Sequence, residues 1–130
     1  MAERFFSYDE ACALLDEVRR KTQATDERLQ QLRAEIETVE KDSPRAEELG
    51  DQMSAAVHRW AEEILALGAQ PKGLWTVDFD SGLGFFYCWT LNERELTHYH
   101  SYEEGFPGRT PLVDGMPRDF TGGPKPPVLN

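Results

Sequence analysis

Long apolar runs are missing from this 130-residue chain. No stretch approaches the roughly 18 to 20 consecutive apolar residues that a membrane-spanning helix needs. Basic charge is also in short supply. Fourteen Lys and Arg stand against 24 Asp and Glu, a net charge of −10, and residues 1–68 and 69–130 are both acidic. A field of that sign repels phosphate backbones and anionic bilayers, so neither nucleic acid nor a membrane surface is an expected partner. Cysteine is scarce. Cys12 and Cys88 lie in different kinds of segment, without the paired spacing of a disulfide framework or a zinc knuckle. The opening "MAERFFSYDE" has no basic stretch followed by an apolar one, so no export signal is expected and the cytoplasm is the expected compartment. The phosphate-binding glycine loops, the H-E-x-x-H zinc helix and the G-x-S-x-G nucleophile elbow are absent. Without them an enzyme is the less expected reading, and no motif implies a cofactor.

Glycine and proline are missing from residues 7–43, and a helical rhythm fills the gap. "SYDE" reads as a capping box with Ser7 at the N-cap and Glu10 three residues on. Leu15, Val18, Thr22, Thr25, Leu29, Leu32, Ile36 and Val39 then step by three and four. That seam predicts a helix of about ten turns. Its polar centre, Thr22 and Thr25, fits either a narrow waist crossed by a partner helix or a solvent-exposed stretch. Ser43 and Pro44 fit the N-cap and first position of a second helix. Ala46, Leu49, Met53, Val57, Trp60, Ile64 and Leu67 continue the rhythm until Gly68. The short link predicts an antiparallel helical hairpin over 7–68.

Near Gly73 the rhythm changes to alternation. "GLWTVDFDSGLGFFYCWTLNERELTHYH" predicts a three-stranded antiparallel meander over 73–101, followed by a loop over 102–112. With residues 80–84 as the first loop, Phe79 faces Phe85, Val77 faces Tyr87 and Trp75 faces Trp89. One face is then rich in rings, and it is expected to pack on the helices. The third strand has two possible registers. A two-residue turn at Asn92-Glu93 pairs Cys88 with Thr97 and sends Leu96, His98 and His100 to the ring-rich face. A three-residue turn reverses every side chain and sets Cys88 opposite His98. Placing Leu96 with the other large apolar groups favours the first. Residues 113–130 hold four prolines and three glycines with no apolar period, so an extended tail is expected. The sum is one α+β domain over 1–112 plus a tail.

Candidate chemistry gathers in "ELTHYHSYEEGFPGRTPL", residues 95–112. His98 and His100 share a strand face. With Cys88 and a carboxylate such as Glu103 they could approximate a tetrahedral zinc site; as plain strand histidines they would bond at a core edge. Cys88 is a candidate nucleophile or a small buried hydrophobe. Arg109 could clamp a carboxylate or phosphate beside the N–H groups of Gly105 and Gly108. It could equally staple its loop to the sheet through Glu104 or Asp78.

The blocks "FSYDEACALLDEVR", "ALGAQPKGLWTVDF", "YCW", "LNERELTHYH" and "EEGFPGRTPL" occur in an order that resembles the bacterial domain of unknown function 2203 family, across residues 5–112. Asp16 stands where a proline is usual, Asn92 interrupts a family-like L-G-E turn, and Tyr99-His100 replaces a Trp-His pair. The resemblance implies no activity. It points to Asp78, Cys88, Glu93, His100, Gly105 and Arg109 as the positions to inspect for ligand binding; the metal candidates His98 and His100 come from their strand spacing alone. The expected protein is a non-enzymatic interaction module, a homodimer through its long helices, with room for a protein partner or small anionic ligand. The alternative is a small-molecule or metal-dependent enzyme built from His98, His100, Cys88 and Arg109 at the sheet edge.

Overall fold

The computed structural model describes residues 4–112. Two helices, α1 (Tyr8–Ile36) and α2 (Pro44–Ala66), precede five strands: β1 (Gln70–Lys72), β2 (Thr76–Asp80), β3 (Phe85–Thr90), β4 (His98–Ser101) and β5 (Thr110–Pro111). The strands form one antiparallel sheet in chain order. The architecture is α+β, with five strands rather than the expected three. The additional strands, β1 and β5, lie at the two rims, and each holds a proline, Pro71 and Pro111. Among the described residues, no helix is long and apolar enough to cross a membrane. The expected tail, 113–130, lies outside the described residues.

Both helix starts follow local chemistry. Ser7 Oγ accepts from the Glu10 N–H and the Glu10 carboxylate accepts from the Ser7 N–H, closing the capping box. Ser43 Oγ accepts from the Ala46 N–H, and Pro44 occupies the first helical turn. The first helix is shorter than ten turns, because it ends at Ile36. There the Thr38 hydroxyl donates to the Glu35 carbonyl, and Asp42 turns the chain with φ 64° into the Ser43 cap. Contacts between the helices run in opposite order: Thr22 with Trp60, Arg28 with Gln52, and Glu35 with Arg45. Thr22 is fully buried. It donates to the Val18 carbonyl at 2.7 Å and accepts from Trp60 Nε1 at 2.8 Å. The polar centre of the seam is therefore a buried helix crossing at Thr22.

The ring-rich face is the core. Val77, Phe79, Phe85, Tyr87, Trp89 and Tyr99 are buried with Phe6, Leu15, Val18, Trp60 and Ile64. Edge-to-face pairs lock the layers, with Phe6 on Phe79 at 5.3 Å and Trp60 on Trp75 at 4.9 Å. Each large apolar side chain so buried contributes about 1.5–3 kcal/mol. Tyr8 donates its hydroxyl to the Leu96 carbonyl, tying the start of α1 to the β3–β4 connection.

Strand register departs from expectation at both turns. Phe79 pairs with Tyr87 and Val77 with Trp89, two residues away from the expected partners. The loop keeps five residues between its innermost partners but moves on by one, to 81–85, since Asp80 pairs with Phe86. Gly82 and Gly84 take φ of 77° and 97° there, a region that side-chain-bearing residues avoid. A two-residue slip preserves the faces. At the second turn the favoured register is overturned: Cys88 pairs with His98 rather than Thr97. Leu96 is buried but precedes β4, so its burial does not obey strand alternation. Tyr99 takes the inward place opposite Tyr87.

Candidate functional site

Parity sends Asp78, Phe86, Cys88, His98 and His100 to the sheet face opposite the helices. Asp78, Cys88 and His98 lie in line across β2, β3 and β4, and Phe86 pairs with His100. Asp78, Cys88 and His100 are buried.

These residues resolve into two adjoining groups. In the first, His100 Nε2 lies 3.1 Å from Asp78 Oδ2, and His100 Nδ1 lies 2.8 Å from the Ser101 carbonyl oxygen. Ligand atoms of Asp78, Cys88 and His100 all lie within 4.8 Å of one another. Asp78 Oδ1 is buried and has no hydrogen-bond partner among the described residues. Burial opposes charge on His100, but the bonds to Asp78 and the Ser101 carbonyl outweigh it and raise the pKa above 6.5. Burial, then the Asp78 charge, pushes the Cys88 thiol up to about 12 against the pull of Arg109. Cys88 is therefore a protonated thiol at neutral pH, without the activation a nucleophile needs.

In the second group, Arg109 Nη2 donates to both Glu93 carboxylate oxygens at 2.7 Å and to the Cys88 carbonyl at 3.0 Å. The guanidinium also lies 4.9 Å from the Phe106 ring centroid. Glu93 Oε1 accepts from the Thr90 N–H, and Oε2 lies 3.4 Å from His98 Nδ1. Burial, then the Arg109 charge, lowers the His98 pKa despite Glu93. The Gly108 N–H donates to the Gly105 carbonyl, within the loop. Arg109 thus staples its loop to the sheet, with Glu93 as the partner in place of Glu104 or Asp78.

His98 and His100 share a face but turn apart, one to Glu93 and the other to Asp78. The close donor set is Asp78, Cys88 and His100, while Glu103 is exposed. Lys72 joins this face without a periodic signal in the sequence, and its ammonium lies 5.7 Å from the Phe86 ring centroid. Its strand, β1, is too short to show alternation.

The raised His100 pKa has a sign that can be checked. A group bound more tightly to its proton in the folded state stabilises the fold fully below the ordinary value of 6.5. That contribution is lost as pH rises through the higher folded value. In metal-free buffer the urea midpoint should fall from pH 6 towards pH 8, and Asp78→Asn should flatten that slope. An unchanged slope in Asp78→Asn would contradict the assignment.

A second place is a groove between the helices, with a volume of about 560 Å³, lined by Arg20, Lys21, Arg28 and Arg59 together with Ala24, Thr25, Ala56 and Glu63. Four of the 14 basic residues line it and one of the 24 acidic, which leaves ten against 23 elsewhere. Lys21 lies near Glu17 and Glu63. Arg20, Arg28 and Arg59 have no carboxylate partner among the described residues; Arg28 donates to Gln52. The four-residue spacing of Arg20, Ala24 and Arg28 marks one helix face, a signal that lies off the apolar seam.

Compared with known proteins, residues 4–112 match the family described as "Uncharacterized conserved protein (DUF2203)". No curated protein and no solved structure matches the chain.

Proposed function

The chain belongs to the DUF2203 family of uncharacterized conserved proteins, and we propose that it is a non-enzymatic interaction module that pairs with a second copy of itself through α1 and α2. The observation that carries this reading is the basic groove. Three arginines without carboxylate partners among the described residues line a cleft on a chain whose net charge is −10. The complementary surface is therefore acidic, and a second copy supplies one. Glu47, Glu48 and Asp51, exposed at the start of α2, are the closest-spaced acidic run on the helices. A two-fold arrangement makes such a contact twice over, since each copy offers both groove and acidic run. Ala24 and Ala56 are small enough to let a partner approach closely.

The same reading places the protein in the cytoplasm. Its support is that neither Cys12 nor Cys88 forms a disulfide, as expected in a reducing compartment. The overall charge still turns it away from nucleic acid and anionic membranes.

Light scattering on a sizing column tests the pairing. At tens of micromolar protein and low salt the mass should be that of a dimer. Raising the salt should shift it towards monomer, because exposed charge pairs are screened within about 8–10 Å at physiological ionic strength. Arg28→Glu/Arg59→Glu should be monomeric at low salt while keeping its helical circular dichroism. A monomeric wild type at low salt would overturn the pairing. A dimer indifferent to both salt and charge reversal would overturn the groove as its seat.

A further inference from the structure

We propose that Asp78, Cys88 and His100 together form a binding site for one thiophilic divalent cation of the zinc type. Three neighbouring strands each contribute one donor, an oxygen, a sulfur and a nitrogen, and the donor atoms lie within 4.8 Å of one another. Metal–ligand bonds of about 2.0–2.3 Å in a tetrahedral shell set the donors roughly 3.3–3.8 Å apart, so closure asks for a shift of about 1 Å. Rotation of three side chains on a rigid sheet can provide it.

Two further observations point to a ligand. The Asp78 side chain is 3% exposed, yet Oδ1 has no partner among the described residues. A buried acceptor left without a donor is costly, and a cation satisfies it. His100 Nδ1 lies against the Ser101 carbonyl at 2.8 Å. Metal-bound histidines commonly donate one ring N–H to a carbonyl in this way, which fixes the tautomer and frees the other nitrogen as the ligand. Here the other nitrogen is Nε2, which lies 3.1 Å from Asp78 Oδ2, and a cation between them would take the place of that contact.

Donor type selects the ion. Thiolate and imidazole favour zinc and its neighbours over magnesium and calcium, which prefer all-oxygen shells. Coordination displaces the proton of the Cys88 thiol to solvent, and the resulting thiolate together with Asp78 balances a divalent charge. Two cations lie near. Arg109 is held by Glu93, whose two carboxylate oxygens both accept from Nη2, and Lys72 is exposed and able to move its charge into solvent. Three protein donors leave a fourth tetrahedral position to water.

Full-length protein stripped with chelator and titrated with Co²⁺ and Zn²⁺ tests the site. Co²⁺ should bind one per chain and give a thiolate-to-cobalt charge-transfer band together with the intense visible bands of a four-coordinate ion. Zn²⁺ should displace it at one equivalent, and excess Mg²⁺ should not. Calorimetry should show Zn²⁺ affinity reduced at least 100-fold in Cys88→Ala and His100→Ala, and within threefold of wild type in His98→Ala. The wild-type cobalt spectrum reports sulfur ligation even where a variant fails to fold. Absence of stoichiometric uptake by folded wild type would overturn the site. So would uptake without a charge-transfer band, or an equal loss in His98→Ala.

Discussion

Replacing Trp89 with alanine should lower the unfolding free energy by about 3–5 kcal/mol, the usual cost of emptying a large aromatic site in a core. Trp89 is fully buried and opposite Val77, and its Nε1 donates to the Glu93 carbonyl at 2.8 Å. The substitution removes the ring from the interface between sheet and helices and also leaves that carbonyl without its donor. Domains of this size are stable by only about 5–15 kcal/mol, so the loss is a large share of the total. Urea denaturation followed by far-ultraviolet circular dichroism measures it without depending on tryptophan emission. Trp89→Phe keeps most of the packing and should lose much less. Equal midpoints for Trp89→Ala and wild type would show that the ring-rich face is not the core.

Glu93→Ala should rank beside it, at about 3–5 kcal/mol, for an electrostatic reason. The Glu93 and Arg109 side chains are 19% and 15% exposed, so removing the carboxylate strands a guanidinium away from water. It also removes the acceptor for the Thr90 N–H at the turn. The cost arises largely from the charge left behind, so removing both partners should be gentler. Glu93→Gln/Arg109→Met should recover about half of the single-variant loss or more in the same denaturation experiment. A double variant no more stable than Glu93→Ala would show that the turn bonds, and not the ion pair, carry the effect.

Local chemistry was legible. The two helix starts need only residues three apart, and the change from helical to alternating rhythm near Gly73 needs only a short window. Face parity in β2 and β3 was legible for the same reason, since Val77, Phe79, Tyr87 and Trp89 alternate with Asp78, Phe86 and Cys88. Register was not. Alternation is blind to a slip of two, so it allows Phe85 opposite Phe79 as readily as Tyr87, the actual partner. Leu96 misled the third strand, because a residue in an irregular connection can be buried without belonging to either face. β1 and β5, at three and two residues with a proline in each, are too short for any periodic signal. The candidate site was half legible. His98 and His100 share a face, as their spacing requires, but the side chains select different carboxylates. That choice depends on Glu93, brought near His98 by a turn, and on Asp78, twenty-two residues away from His100.

The prolines at Pro71 and Pro111 have a consequence for crowding. An exposed ribbon border with a full row of N–H donors recruits other chains and seeds fibrils. Here each flank is two or three residues long and is short of one donor. Concentrated solutions should therefore stay clear of border-to-border stacking.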